Sequence, residues 1–138
     1  MANALYPKTK ATMMNAGLNL ASVPVKAMLV EANYVYSASH QFLSDVPGAY
    51  QIAISPTLSG VSVGATDASF HSNSPIISAV SGSSAGEQAH AIILFHDTGI
   101  AGTSDLIAYI DTGVTGLPFT PSGADEEIVV PSGGWFTL

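Results

Sequence analysis

Short apolar runs, each closed by turn residues, limit the folds open to this chain. In the segment 50–56 the apolar residues alternate with a period of two, so that Tyr50, Ile52 and Ile54 fall on one face of a strand. Glycine, proline, serine and aspartate fill the gaps, and they favour turns because glycine adopts positive φ and aspartate hydrogen-bonds nearby backbone. The other runs of strand length are 25–31, 60–65, 75–80, 89–97, 105–111, 126–131 and 134–138. About eight short strands at roughly ten-residue spacing predict a mainly β fold, a single antiparallel β-sandwich or open barrel.

The N-terminal segment has a different pattern, which predicts one short helix over residues 7–16. Pro7 suits the first helical position, and Gly17 suits the residue just past the end of a helix. Apolar residues recur here at helical spacing, at Ala11, Met14 and Leu18. We therefore expect a short N-terminal helix over this segment.

The chain has the length of one domain, with 138 residues and no stretch that is typical of a linker. We expect a single domain over 1–138, made of a helix-containing segment 1–24 and a β body 25–138. No apolar run approaches the roughly 20 residues that span a bilayer. The N-terminus also lacks the apolar core of a secretory signal, so we expect a protein that is made and used without export.

Charged residues are scarce, and their distribution argues against several kinds of partner. Only 9% of the residues are charged, against about 25% in ordinary domains, and arginine is absent. The three basic residues, Lys8, Lys10 and Lys26, precede every acid, and the net charge is -7. Beyond Lys26 every charged residue is an acid. This part of the chain therefore cannot neutralise phosphates and does not suit an anionic membrane surface. We therefore expect neither nucleic acid nor membrane as a partner.

A surface with so few ions must be covered mainly by serine, threonine, glycine, asparagine and small apolar residues. Because few ions lose water when a partner arrives, such a surface costs little to desolvate. The composition favours a subunit that is packed against neighbours. The alternative is a free, stable β-domain of the secreted type with a coat of serine and threonine.

The tripeptide Asp-Thr-Gly occurs twice, at 97–99 and at 111–113, and it raises the question of an aspartic protease. Such a protease needs two carboxylates about 3 Å apart that share one proton. If the flanking strands form a hairpin, Asp105 lies opposite Asp97, and Asp111 lies roughly 20 Å away. The two aspartates then cannot pair within one chain, and a homodimer that paired them would lack a recognisable flap and cleft. We expect them to end strands and to form turns.

Other residues suited to catalysis or metal binding do not form a convincing site. His90 and His96 share one strand face but lie roughly 20 Å apart, too far for one zinc ion. The acids of 124–128 do not alternate as calcium ligands do, so we expect a solvated turn. The serine-rich run 81–87 lacks a nucleophile motif and is typical of a loop. Because cysteine is absent as well, we expect no enzyme activity, no cofactor and no bound metal.

Aromatic residues suggest contacts rather than chemistry. Three of them lie in a loop-like stretch after a strand, and Trp135 and Phe136 lie near the C-terminus. Exposed aromatics anchor interfaces at little cost in conformational entropy. The alternative is that they fill the ends of the core, which we expect for Phe136. The candidate contacts with a partner are Lys8, Lys10, Tyr34, Tyr36, Phe42 and Trp135.

Motifs along most of the chain carry a resemblance to a known family. They are strongest at HQFLSDVP (40–47), SDLIAYIDT (104–112) and GLPFTP (116–121), and weak from about residue 57 to residue 86. Together they resemble a family of small proteins that tailed bacteriophages and prophages encode among their virion structural genes. The motifs are turns and strands, so the resemblance implies a structural role in the virion and assigns no chemistry. The chain departs from the family in its missing arginines and in its ending, PSGGWFTL.

The resemblance implies a capsid decoration, or cement, protein on the outer surface of the head, where it stabilises contacts between major capsid subunits. The implied partners are the major capsid protein and further copies of the chain itself, as a homotrimer. A tail or fibre component is a second interpretation. A carbohydrate-binding β-sandwich for host attachment, with Tyr34, Tyr36 or Trp135 as its stacking platform, is a third. In the first interpretation, we expect Lys8 and Lys10 to dock on an acidic patch of the capsid.

Overall fold

The structure, a computed structural model, describes residues 3–80 and 88–138. Within these ranges the chain forms one α-helix and ten short strands, and the strands pair antiparallel. The prediction of a mainly β fold with one short N-terminal helix is therefore confirmed. The helix is α1 (Pro7–Met14), and the strands are β1 (Ala4–Leu5), β2 (Val25–Glu31), β3 (Gln51–Ile54), β4 (Ser62–Val63), β5 (Ser69–His71), β6 (Ile76–Ile77), β7 (Ala89–His96), β8 (Leu106–Ile110), β9 (Glu126–Glu127) and β10 (Phe136–Thr137).

A five-stranded sheet forms the centre of the protein, in the order β1-β8-β7-β2-β3. Its longest ladder joins β2 to β7, from Val25 opposite His96 to Glu31 opposite Ala89. Nearly every residue of β2, β7 and β8 is buried, because both faces of these strands are covered. This double coverage explains why their sequences are almost continuous apolar runs, whereas the sequence of the edge strand β3 alternates.

One face of the central sheet packs against two smaller sheets. These are a three-stranded sheet in the order β10-β5-β4 and a two-stranded sheet of β6 and β9. Ile92 and Leu94 of β7 lie in one apolar cluster with Phe70 of β5 and Ile77 of β6. The packing is that of an open sandwich, with the main core between the central sheet and the smaller sheets.

The opposite face of the central sheet is covered by aromatic side chains instead of another sheet. Ile93 and Phe95, which alternate with the residues of the first core along β7, belong to this second cluster. Tyr6, Tyr34 and Tyr109 are buried in it as well. Tyrosine suits this position because its ring covers the sheet while its hydroxyl reaches a polar partner.

The helix lies where the sequence predicts it, but it buries a different face. Thr9 is the buried residue of α1, and its hydroxyl donates to the Leu106 carbonyl of β8. Ala11 is exposed, and Met14 is 87% exposed. Of the three apolar residues at helical spacing only Leu18, which lies beyond the helix, is buried. The apolar spacing therefore predicted the helix but does not mark its buried side.

Each predicted strand contains an observed one, and two further strands, β1 and β5, had no sequence signal. They are two and three residues long, too short for a period of two to show. The loop that the sequence predicts at 81–87 lies outside the described residues. In the parts of the chain that the structure describes, no helix is long and apolar enough to cross a membrane.

Candidate functional site

The two Asp-Thr-Gly tripeptides lie at opposite ends of a β-hairpin. Strands β7 and β8 pair antiparallel, with Ile92 opposite Ile110. Asp97 follows β7 at one end of the hairpin, and Asp111 adjoins Ile110 at the other end. Asp111 therefore lies opposite residue 91, and the six positions from there to Asp97, at about 3.3 Å each, separate the two aspartates by roughly 20 Å. The prediction that they cannot pair within one chain is confirmed.

The first tripeptide forms a turn that is held by its aspartate. Asp97 Oδ1 accepts the Gly99 N–H at 3.0 Å, and Gly99 has a φ of 84°. Lys26 of the neighbouring strand β2 forms a salt bridge of 2.8 Å with Asp97 Oδ2. The hydrogen bond from Lys26, and then the one from Gly99, hold the pKa of Asp97 below its usual value. The carboxylate thus stabilises a turn, as the sequence predicts.

The second tripeptide is held by Asn3 instead of a lysine. Asn3 Oδ1 accepts the N–H groups of Asp111 and Thr112 at 2.9 and 3.0 Å, and Asn3 Nδ2 donates to the Thr112 carbonyl at 3.0 Å. Gly113 has a φ of 84°, as Gly99 does. One amide side chain therefore satisfies the backbone of this turn and connects the N-terminal segment to the end of β8. No sequence pattern could reveal this contact, because its partners lie 108 and 109 positions apart.

Replacing Gly113 with alanine is expected to destabilise the protein by about 1–2 kcal/mol, because an L residue is strained at positive φ. Space is not the cause, since no atom lies within 4 Å of the position that a Cβ would take. Gly102 is the matched control, because its Cβ would also meet nothing within 4 Å and its φ lies outside the left-handed region. Urea denaturation of the two variants checks the difference, and equal losses of stability would contradict the turn.

Asp, Ser and His side chains form a cluster at β5, and no sequence motif predicts it. Ser69 Oγ donates to Asp67 Oδ1 at 2.7 Å and lies 2.7 Å from His71 Nε2. The hydrogen bond from Ser69 holds the pKa of Asp67 below its usual value. In a catalytic triad the histidine lies between the other two groups and takes the proton of the serine. Here the serine lies in the middle, donates to the carboxylate and is 1% exposed, so the cluster lacks triad geometry and stabilises a turn.

The two histidines of β7 lie far from each other, and the acidic run at 124–128 belongs in part to a small sheet. His90 and His96 lie near opposite ends of β7. The expectation of a solvated turn at 124–128 is wrong, because two of its acids form β9 and pair with β6. Glu127 faces outward beside the exposed Ile76, and Ile128, the residue after it, is buried in the core. Among the described residues, no three His, Cys, Asp or Glu side chains come together as metal ligands would.

Two of the aromatic contact candidates are core residues. Tyr34 is 4% exposed and Trp135 is 3% exposed, so for these two candidate contacts the alternative holds, and both fill the core. The Trp135 indole N–H donates to Ser72 Oγ at 2.8 Å, and the ring belongs to the core between the sheets. The physical reason is that burying such a large ring stabilises the fold more than exposing it would. Phe136 is partly buried against Phe70, with ring centroids 5.4 Å apart, as expected of a residue that fills the end of the core.

The other contact candidates reach the surface wholly or in part. Tyr36 and Phe42 are partly buried, and the Tyr36 hydroxyl donates to the Leu5 carbonyl at 2.8 Å. Lys8 and Lys10 are exposed on α1. These four side chains are accessible to a partner, and their roles in contacts stay predictions.

Tyrosines from distant parts of the chain converge on the aromatic face of the central sheet. The hydroxyls of Tyr6 and Tyr34 are 2.7 Å apart, and the Tyr34 hydroxyl lies 3.0 Å from His40 Nδ1. Burial raises the pKa of Tyr6, and it raises the pKa of Tyr109 to about 12. Burial is also the main cause that raises the pKa of Tyr34 and of Tyr36. The cluster therefore stays protonated at neutral pH and holds the loops against the sheet.

The exposed side of α1 lines two concave surfaces that share Lys10. One is a cavity of about 400 Å³ between residues of β1, β8 and β10. The other, of about 270 Å³, is lined by Lys10, Met13, Met14 and Leu138, and we call it the α1 groove. Met14 is 87% exposed and Leu138 is 58% exposed. The groove thus has an apolar floor, and Lys10 supplies its charge.

No protein-family model matches the sequence, and no curated protein matches it significantly. The α1 groove combines exposed apolar side chains with a lysine.

Proposed function

We propose that this chain is a structural protein of a tailed-bacteriophage virion, most specifically a decoration, or cement, protein of the capsid. The observation that carries the proposal is a surface with few ions and many exposed apolar side chains. Such a surface can be covered by a neighbouring subunit at little electrostatic cost. Among the described residues, the exposed large apolar side chains are Met14, Val35, Ile54, Val63, Ile76, Ile100, Val129 and Leu138. The resemblance of the motifs between residues 40 and 121 to virion structural proteins supports the same role.

The mechanism of such a protein is adhesion. It binds the outer surface of the head across the seams between major capsid subunits, and an ordinary interface of this kind buries roughly 800 Å² per partner. Each copy adds a small net free energy of contact, and many copies together oppose the outward pressure of the packaged DNA. The acidic body faces solvent, while Lys8 and Lys10 of α1 meet an acidic patch of the capsid.

Reversing the charge of both helix lysines, with Lys8→Glu and Lys10→Glu, is expected to reduce occupancy on purified heads at low salt by about tenfold or more. The reason is that two attractive contacts with an acidic patch become repulsive. The difference between the variant and the native chain should shrink as salt screens these exposed charges. Occupancy is measured by binding the purified chain to heads that lack it.

The control for this experiment is the charge-retaining pair Lys8→Arg and Lys10→Arg, which should bind as the native chain does. An unchanged occupancy of the Glu variant at low salt would contradict the docking role of the helix. A native chain that fails to bind heads at any salt concentration would contradict the decoration role itself.

The rival interpretations differ from this proposal in location or in ligand. A tail or fibre component would use the same kind of surface, and imaging of purified particles separates it, because the density would then lie on the tail. A carbohydrate-binding role loses support from the burial of Tyr34 and Trp135, which leaves Tyr36 as its partly exposed aromatic. Binding of the purified chain to a glycan array would support the carbohydrate-binding role.

A further inference from the structure

The α1 groove has an apolar and basic character that a partner must complement. Lys10, Met13 and Met14 lie three and four positions apart on the helix, so their side chains share one side of it. Leu138 adds a further apolar side chain to the same groove. A partner that fits this groove presents a carboxylate between apolar side chains.

The outer face of the small β6–β9 sheet has this complementary character. Ile76 lies directly opposite Glu127 in the ladder, and Ile76 is 53% exposed. Asp125 and Val129 lie two residues on either side of Glu127, so the alternation of a strand places them on the same face. All three are exposed, Val129 to 40%, whereas Ile128 between them is buried in the core. We call Ile76, Asp125, Glu127 and Val129 the acidic face.

We infer that the α1 groove of one copy binds the acidic face of a second copy of this chain. Lys10 would pair with Glu127, and Met14 and Leu138 would cover Ile76 and Val129. The two surfaces differ from each other, so the contact is of the head-to-tail kind, and it leaves a free groove and a free face on every pair. Such contacts extend into rings or rows of copies, depending on the rotation between neighbours.

Within the chain, the other lysines have acidic partners or neighbours of their own. Lys26 forms the salt bridge with Asp97. The charge of Lys8 contributes to the lowered pKa of Asp45 in the same chain, after the stronger effect of the backbone N–H groups of Gln41 and Phe42. Lys10 is the lysine that lines the groove, and it is therefore the one that a second copy can engage there.

This inference deepens the homotrimer that the resemblance implies, and it concerns the isolated chain. It names which two surfaces meet, while the proposed function concerns attachment to heads, where Lys8, and Lys10 of a copy whose groove is free, would meet the capsid. The two are tested separately, because self-association is measured without any capsid protein.

The test is sedimentation velocity on dilution series of the native chain and of two single charge reversals, Lys10→Glu and Glu127→Lys. The native chain should self-associate, and each reversal alone should weaken the association by about tenfold or more, since like charges then face each other. An equimolar mixture of the two variants should associate again, because each supplies the partner that the other lost. Lys8→Glu is the matched control, with the same change of charge on the same helix but outside the groove, and it should associate as the native chain does.

A second pair of variants tests the apolar part of the contact. Met14→Ser should weaken self-association, whereas Val35→Ser, at a loop position that is 75% exposed, should not. Carbodiimide coupling of the native chain followed by mass spectrometry should also yield an amide cross-link between Lys10 and Glu127 of different copies. A native chain that remains monomeric at its highest soluble concentration would overturn the inference. So would a mixture of the two charge variants that associates no better than either alone.

Discussion

Replacing Trp135 with alanine is expected to lower the free energy of unfolding by about 3–5 kcal/mol, the usual loss for a buried tryptophan. The side chain is 3% exposed and lies in the main core. Its indole N–H donates to Ser72 Oγ, and its backbone N–H donates to the Phe70 carbonyl at 2.7 Å, next to β10. Loss of the ring would leave a cavity where the three-stranded sheet meets the central sheet.

Urea denaturation at neutral pH measures this loss, with Val35→Ala as the control. Val35 is 75% exposed, so its truncation should change stability by no more than about 0.5 kcal/mol. Trp135→Phe should fall between the two, since it keeps a ring and loses the hydrogen bond to Ser72. If Trp135→Ala were as mild as Val35→Ala, the ring would be at the surface, as the sequence alone suggests, and the packing described above would be wrong.

The second large effect is a loss of stability at alkaline pH through the tyrosine cluster. In an unfolded chain the pKa of tyrosine is about 10. Burial raises the pKa of Tyr109 to about 12 in the folded chain, and it raises the pKa of Tyr6 as well. Below about pH 10 these tyrosines are protonated in both the folded and the unfolded chain, so the free energy of unfolding keeps its full value there. Above that pH the unfolded chain releases protons that the folded chain retains, so each such tyrosine lowers stability by up to about 1.4 kcal/mol per pH unit.

The measurement is the free energy of unfolding in urea at several pH values between about pH 9 and about pH 12. The native chain should lose stability steeply above about pH 10, and Tyr109→Phe should make the decline shallower. Phe70→Leu is the control, because it alters a fully buried aromatic that does not titrate. It should lower stability equally at every pH. A native chain whose stability is level across this range would contradict the burial of the tyrosine hydroxyls.

The strands could be predicted from the sequence because their signals are local. Short apolar runs located β2, β7 and β8, alternation located β3, and the glycine- and aspartate-rich segments located the turns between strands. The same local reasoning placed Asp97 and Asp111 at opposite ends of a hairpin. It failed for β1 and β5, whose few residues are strands only through pairing with parts of the chain that are distant in sequence, β8 for β1 and β10 for β5.

The candidate site was harder to predict, because it depends on contacts between distant parts of the chain. Met14 has the spacing of a core residue, yet it is exposed because Thr9 takes the buried side of the helix. Trp135 lies in a short terminal segment, where an aromatic residue could serve as a surface contact, yet its ring is buried in the core between the sheets. The α1 groove joins residue 10 to residue 138, and no spacing rule connects such positions.

Electron cryomicroscopy of purified particles, with mass spectrometry of the same preparation, tests the central proposal most directly. If neighbouring subunits of a shell cover the ion-poor surface of this chain, the chain should be abundant in the particles. Its sandwich should then fit density on the outside of the head, over the seams between capsid subunits. Particles that contain none of the chain, or density for it on the tail alone, would contradict the decoration role.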